Sequence, residues 1–470
     1  MPALDSQTHV NPASFRDPAG NIFEQSGILK RTVTAHGIAD FRRLIDSGLY
    51  ARLCDDKLLV EHDEEPRSSA WPDLAVAVLR PRRIPVVSYP YEWCFGQLKD
   101  AALVTLRIQE HAMAHGMSLK DASAFNVQFL GSQPLFIDTL SFEVDNGGAW
   151  PAYSQFCRHF LAPLLLMRHL WPNAASLLRV TLDGVPLEVA SRALPRSTYL
   201  KFGCLVHIHL HARSQQKHVR AASAGKAPSP GKVAESRAWN PKPPLVASLR
   251  AMVEALKPEN SPTTWGNYYQ ETQHYSSEAE AAKRHAVAAA IDRIQPDLVY
   301  DLGGNTGAYA RLATERGSYC VCFDLDPACV QQNYQHARRD GDPRMLPLVM
   351  DLSNPSPGLG FASEERMALT ARPAADLLLA LALIHHLRIS ANVPLRRIAE
   401  YLSRLGRALA IEWVPKQDPK VVVLLQSRPD TFHDYDERNF ALALDEYFEI
   451  ENVTRLADSQ RAIYFCRRRA

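Results

Sequence analysis

The sequence predicts an α/β fold in its C-terminal half, built on a largely parallel sheet, behind an N-terminal α+β domain. Three observations carry this. At 470 residues the chain exceeds the size at which a single hydrophobic core stops growing, about 250 to 300 residues, so two domains are expected. A break in composition falls between His211 and Leu245, where ARSQQKHVRAASAGKAPSPGKVAESRAWNPKPP has almost no apolar periodicity. Beyond it, short and nearly continuous apolar runs alternate with helix-like stretches, as strands covered on both faces require. The expected organisation is an N-terminal domain over 1–212, a linker over 213–245 and an α/β domain over 246–470.

Composition narrows the functional classes. With 46% hydrophobic and 22% charged residues, the chain has the make-up of a globular protein able to bury a core in each half. Fifty-three Lys and Arg against 51 Asp and Glu leave a formal charge of +2, so no overall field favours nucleic acid as a partner. The eight cysteines are scattered without a Cys-x-x-Cys pair or a His cluster. That argues against a bound metal or a disulfide framework and for reduced thiols in a cytoplasm. The start, MPALDSQTHVNPASFRD, has no basic-then-apolar export pattern, and the longest apolar runs, LAPLLLM and DLLLALALI, fall short of the roughly 20 residues a membrane span needs. A cytoplasmic protein with no membrane or nucleic-acid partner is expected.

Along the N-terminal half, β-branched and turn residues up to Tyr91 suggest strands. FGQLKDAALVTLRIQEHAMAHG has helical periodicity and stops at His115-Gly116, with glycine in its usual C-terminal place. NVQFL and PLFIDTLSFE read as strands around a Gly-Ser-Gln turn, and YSQFCRHFLAPLLLMRHL as helix. The linker carries seven Lys and Arg against one Glu. It is read as a flexible solvated tether, with contact to an acidic partner as the alternative.

In the C-terminal half, LVYDLGG, YCVCFDLD, MLPLVMDL, DLLLALALI and RALAIEWV read as strands. Helix-like GAYARLATERG, PACVQQNYQHARRD and NVPLRRIAEYLSRLG lie between them. YFEIENVTRL and RAIYFCRRR close the chain and are joined by too few residues for a crossover helix, so at least one must run antiparallel to its neighbour. Seven strands are expected. Cys320 and Cys322 share a strand face and read as packing.

The loop after the first of these strands, VYDLGGNTGAYA, discriminates among ligands. A pyrophosphate fingerprint would place glycine where Asn305 stands, and a triphosphate loop would carry a Lys-Ser/Thr that is missing. Asp301, at the strand's end, would repel phosphate and attract a cation. Asp324 ends the second strand and Asp351 the third. Asp324 and Asp326 have the alternative of capping the helix that begins near Pro327.

Asp301, Gly303, Gly304, Asn305 and Gly307, followed by the two spaced acids, resemble the class I S-adenosylmethionine-dependent methyltransferases, Rossmann-like enzymes with a seven-stranded sheet and a reversed last strand. The resemblance covers roughly residues 265 to 470. It implies S-adenosylmethionine as cofactor, the glycine loop as its cradle, Asp324 on the ribose hydroxyls and Asp351 near the adenine amino group. Upstream, TTWGNYYQETQHYSSEAEAAKRHAV resembles the family's lid helix. Trp265, Tyr268, Tyr269 and Tyr275 are therefore cofactor-contact candidates, with core packing the alternative.

Methyl transfer from a sulfonium is an in-line displacement in which alignment and desolvation supply much of the rate. A base matters for a hydroxyl acceptor. His385 and His386 follow the fourth strand, where the resemblance places the acceptor, and are candidate bases; the alternative is a structural histidine. Glu412, at the end of the fifth strand, is a further catalytic candidate.

In the N-terminal half, Asp121, Asn126 and Asp138 resemble the acid, asparagine and second acid of protein-kinase and aminoglycoside-kinase folds, over about 30 residues. There the first Asp orients a hydroxyl while Asn and the second Asp hold magnesium. Lys120 and Thr139-Leu140 depart from that pattern, and no glycine-rich loop or strand lysine is evident upstream. A degenerate kinase-like domain used for recognition, magnesium-nucleotide binding, and a plain hairpin with Asx turns are the readings left open. SFRDPAG, YPYEWCFGQLKDAAL and LKDASAFN also resemble the nodulation-type bacterial methyltransferases across both halves. That implies a methyltransferase acting on a small-molecule or glycan hydroxyl; the alternatives are a bifunctional or kinase-like magnesium-ATP-binding protein and a non-catalytic scaffold.

Overall fold

A computed structural model describes residues 8–66, 74–223, 242–258, 277–426, 429–457 and 459–469. The chain divides into two units, one of Met1–Phe129, Pro134–Glu259 and Leu359–Arg366, the other of Leu130–Gln133, Asn260–Gly358 and Met367–Ala470.

In the first unit, strands β1 (Thr8–Val10), β2 (Ile22–Gln25), β3 (Ile28–Val33), β4 (His62–Glu64) and β5 (Ala77–Pro81) form an antiparallel sheet in the order β1-β2-β3-β5-β4. Ser26 and Gly27, at φ 52° and 76°, make the two-residue turn that joins β2 to β3 with the twist a hairpin needs. Ala19, Val33, Phe41, Ala77, Leu79 and Leu140 form one apolar cluster. Two short pairs follow: β6 (Met117–Leu119) with β9 (Phe142–Val144), and β7 (Val127–Leu130) with β8 (Gln133–Phe136). The helix Phe95–Ala114 starts where Gln97 Oε1 accepts the Cys94 amide at 3.0 Å, filling one of the donors that a helix start leaves open.

The expected linker boundaries are corrected. Residues 213–223 continue the helix His211–Ser223, and Lys242–Ala255 is a helix of the first unit. Leu245, Val246, Leu249 and Val253 are buried. Arg250 donates to Glu110 at 3.0 Å, Lys99 donates to the Glu254 carbonyl at 2.8 Å, and Lys242 pairs with Asp145. The rest of the expected linker, 224–241, lies outside the described residues.

The second unit is built on β10 (Leu298–Leu302), β11 (Tyr319–Asp324), β12 (Met345–Val349), β13 (Ala375–Ala380), β14 (Gly406–Trp413), β15 (Phe448–Arg455) and β16 (Ala462–Arg468), in one sheet ordered β12-β11-β10-β13-β14-β16-β15. β10 to β14 are parallel, and β16 runs antiparallel to both β14 and β15. Burial along β10 and β12 is almost continuous, as covered parallel strands require. Cys320 and Cys322 lie within the apolar cluster on one face. The chain order reverses between β10 and β13, the place where open α/β sheets leave a crevice beyond their strand ends.

Candidate functional site

A cavity of about 430 Å³ opens at that reversal. It is lined by the residues that end β10, β11, β12 and β13, with Glu280 and Lys283 from the helix Ser277–Ile294. Asp301, Gly303, Gly304, Asn305, Asp324 and Asp351 all reach it. Gly307 is not among the lining residues. It supports the loop from behind, at φ +80°, where a Cβ would meet Asn333 at 2.5 Å.

The loop's amide groups are already used. Gly303 and Gly304 donate to the Phe323 carbonyl at 2.9 and 3.0 Å, and Gly307 to the Gly304 carbonyl at 2.8 Å. Asn305 N donates to Asp324 Oδ2 at 2.8 Å, and Thr306 N to the Asn305 side chain at 2.9 Å. Glycine loops that cradle phosphate do so with free N–H groups. Here five successive amides point inward to their own structure, and carboxylates face the cavity instead.

Those carboxylates are held at unequal depth. Burial, then the neighbouring Asp324, push the Asp301 carboxyl up to about 7, opposed by Lys283. Its Oδ2 is buried without a hydrogen-bond partner among the described residues. Burial raises Asp324 to about 6, against the pull of the Asp326 and Asn305 amides. Asp326, not Asp324, caps the helix Pro327–Asp340, accepting the Ala328 amide at 2.8 Å. Asp351 is half-exposed and accepts the Ser353 amide and hydroxyl at 2.8 and 2.6 Å.

The catalytic candidates separate. His386 lines the cavity, while His385 is buried beside it, ring centres 4.2 Å apart, and is not among the lining residues. Burial lowers both; His386 and Arg461 lower His385 further, and Lys420 lowers His386. Both imidazoles are neutral near pH 7. Glu412 is corrected: it does not line the cavity. Its Oε2 accepts the Ala382 amide at 2.9 Å and lies 2.8 Å from Lys283 Nζ, and its Oε1 lies 3.1 Å from Arg461. Two cations and a backbone donor leave this carboxylate an anchor for the loop after β13, with Ala382 held at φ 49°.

Asp121, Asn126 and Asp138 come together in the first unit, but in turns. Asp121 accepts the Ser123 amide at 2.9 Å, and burial raises its carboxyl. Asn126 bonds Ser141 at 3.2 Å, and Asp138 accepts the Leu140 amide at 3.0 Å and the Ser141 hydroxyl at 2.7 Å. Arg31 on β3 lies 2.8 Å from Asp138 Oδ1. A guanidinium therefore occupies the carboxylate that would hold magnesium.

Sequence reasoning missed Lys283 and Glu280. The available signal was a lone lysine among the alanines of SEAEAAKRHAVAAA, which spacing alone cannot aim. Trp265, Tyr268, Tyr269 and Tyr275 lie outside the described residues.

No protein-family model matches the chain. Among solved structures, magnesium protoporphyrin IX methyltransferase (ChlM) from Synechocystis PCC 6803, with bound SAH, is similar at 17% identity and TM-score 0.31, covering 44% of this chain and 93% of that one. The N-methyltransferase NodS from Bradyrhizobium japonicum WM9 is similar at 10% identity and TM-score 0.31, covering 42% of this chain and 99% of that one. Nodulation protein NoeA of Rhizobium meliloti (strain 1021) is 32% identical over 461 residues, 96% of this chain and 94% of its own. By that match, which runs through both units, the chain belongs to the family of the nodulation protein NoeA.

Proposed function

We propose that this chain is an S-adenosylmethionine-dependent methyltransferase that holds the methyl donor in the cavity of its second unit and methylates a hydroxyl of a small molecule or glycan. The loop carries the reading. Its amides are consumed internally while Asp301 and Asp324 line the cavity, which suits a cationic, phosphate-free ligand. The partnerless Asp301 Oδ2 would accept an ammonium group, and the remaining lone pairs of Asp324 a vicinal diol. About 430 Å³ is within the range of small-molecule sites.

When bound, the donor supplies a methyl group on positively charged sulfur. Leu381, Leu383 and Leu387 line the cavity and exclude water from the path of the methyl group. Glu412, through Ala382, fixes the loop that carries them. His386, neutral and lining the cavity, takes the acceptor's proton as the hydroxyl oxygen attacks. Magnesium-nucleotide binding by Asp121, Asn126 and Asp138 is the weaker reading, because Arg31 already neutralises Asp138.

Calorimetry of the full chain with S-adenosylmethionine tests the reading. Binding that is lost in Asp324→Ala and in Gly303→Arg is expected. No binding, or binding indifferent to both changes, overturns it.

A further inference from the structure

In the first unit the chain makes an apolar apex that nothing in the methyl-transfer reading uses. Leu200 and Phe202 are 89% and 76% exposed, with the exposed Lys201 between them. A folded chain rarely leaves two such side chains this open at one point. The apex is not a frayed end. Tyr199 stacks on His209 at 3.6 Å between ring centres, and Thr198 bonds the same imidazole at 2.9 Å. Arg213 lies 5.8 Å from the Tyr199 ring centre. Leu210, on an element that packs with the apex, is also exposed.

Along this stretch of sequence charge has one sign. From Val189 to Lys217 the sequence holds Arg192, Arg196, Lys201, Arg213 and Lys217 and no Asp or Glu, and all five cations are exposed. Arg192 pairs with Glu188. Among the described residues no carboxylate pairs with the other four.

We propose that this apex is a docking surface for an anionic lipid bilayer, with Leu200 and Phe202 entering the headgroup boundary and the surrounding cations facing lipid phosphates. Bulky apolar tips ringed by Lys and Arg are what interfacial binding uses: the tips gain from leaving water, the cations from the negative surface potential. Nucleic acid would satisfy the cations but leave Leu200 and Phe202 in water. No helix of the described residues is long and apolar enough to cross a membrane, and surface docking needs none.

The test is co-sedimentation of the full chain with vesicles of phosphatidylglycerol and phosphatidylcholine, against phosphatidylcholine alone. Binding to the anionic vesicles only, weakened by salt, is expected. Leu200→Ser with Phe202→Ser should lower partitioning at least about tenfold, and Arg196→Glu with Lys201→Glu by a similar factor. All four side chains are exposed, so thermal melts should match the parent and exclude misfolding. No vesicle binding at low salt, binding unchanged in the apolar double variant, or capture by single-stranded RNA in place of vesicles each overturns the proposal.

Discussion

Lys283 Nζ lies 2.8 Å from Glu412 Oε2, and both side chains are buried. Arg461 takes the other oxygen of the same carboxylate at 3.1 Å. Removing that anion takes a buried carboxylate from two buried cations, of which Arg461 retains Asp418 at 2.7 Å. Breaking a buried pair in this way costs about 3 to 5 kcal/mol, so Glu412→Ala is expected to lose about that much in denaturant unfolding, with a marked fall in Tm. A catalytic base would behave differently. Lost turnover at an unchanged Tm would return Glu412 to the catalytic candidates.

The cavity acids predict opposite pH effects on stability and on binding. Asp301 is raised to about 7 and Asp324 to about 6, whereas unfolded Asp titrates near about 3.9. The folded chain therefore holds protons that the unfolded chain has released, and stability falls as pH rises from about 4 to about 7. The two groups interact, so the midpoints belong to the pair. Asp301→Asn removes that penalty. It should match the parent near about pH 4 and exceed it by about 1 to 3 kcal/mol at pH 8. A cationic donor binds the deprotonated form, so its affinity in the parent should climb between about pH 5 and 8 and level off above. Calorimetry showing a flat profile, or one that falls with pH, contradicts the assignment.

At Gly304 it is space rather than backbone angle that excludes a side chain. A Cβ there would stand 2.5 Å from Asp301 Oδ2 and 2.5 Å from Cys322 Sγ. Gly304→Ala is expected to cost about 1 to 3 kcal/mol of overpacking strain and to lose donor binding, because Asp301 must shift. Gly27, at φ +76° with nothing within 4 Å of its Cβ position, is the control. Gly27→Ala should cost about 1 to 2 kcal/mol from backbone strain alone and leave binding intact.

The parts of the site legible in the sequence are local ones. Asp301, Gly303, Gly304, Asn305, Asp324 and Asp351 sit where apolar runs meet turn residues, and a parallel sheet brings such strand ends to one edge whatever the side chains. Glu412 ends a strand in the same way and looked equivalent. Its burial depends on Arg461, 49 residues on, and on Lys283, which no local pattern supplies. The helix Lys242–Ala255 failed similarly: its apolar spacing at Leu245, Val246, Leu249 and Val253 is helical, but spacing does not say which core the stripe meets. His385 and His386 are adjacent, so only the local winding of the chain, a π-type turn over His386–Ser390, decides which of them reaches the cavity.

That difference between adjacent histidines is the sharpest prediction for the chemistry. His386 lines the cavity; His385 is buried beside it with Nδ1 lacking a hydrogen-bond partner among the described residues. If His386 accepts the hydroxyl proton, His386→Gln should lower methyl transfer by about 10²- to 10⁴-fold while S-adenosylmethionine still binds. His385→Gln should chiefly lower Tm, since a flexible amide of different shape, with polar atoms to satisfy, replaces a planar ring in a closed space. Labelled-methyl transfer into a fractionated lysate, with calorimetry of each variant, reads both effects. Equal transfer by parent and His386→Gln would point to an acceptor that arrives already deprotonated, or to a displacement driven by alignment alone, and would remove the base from the mechanism.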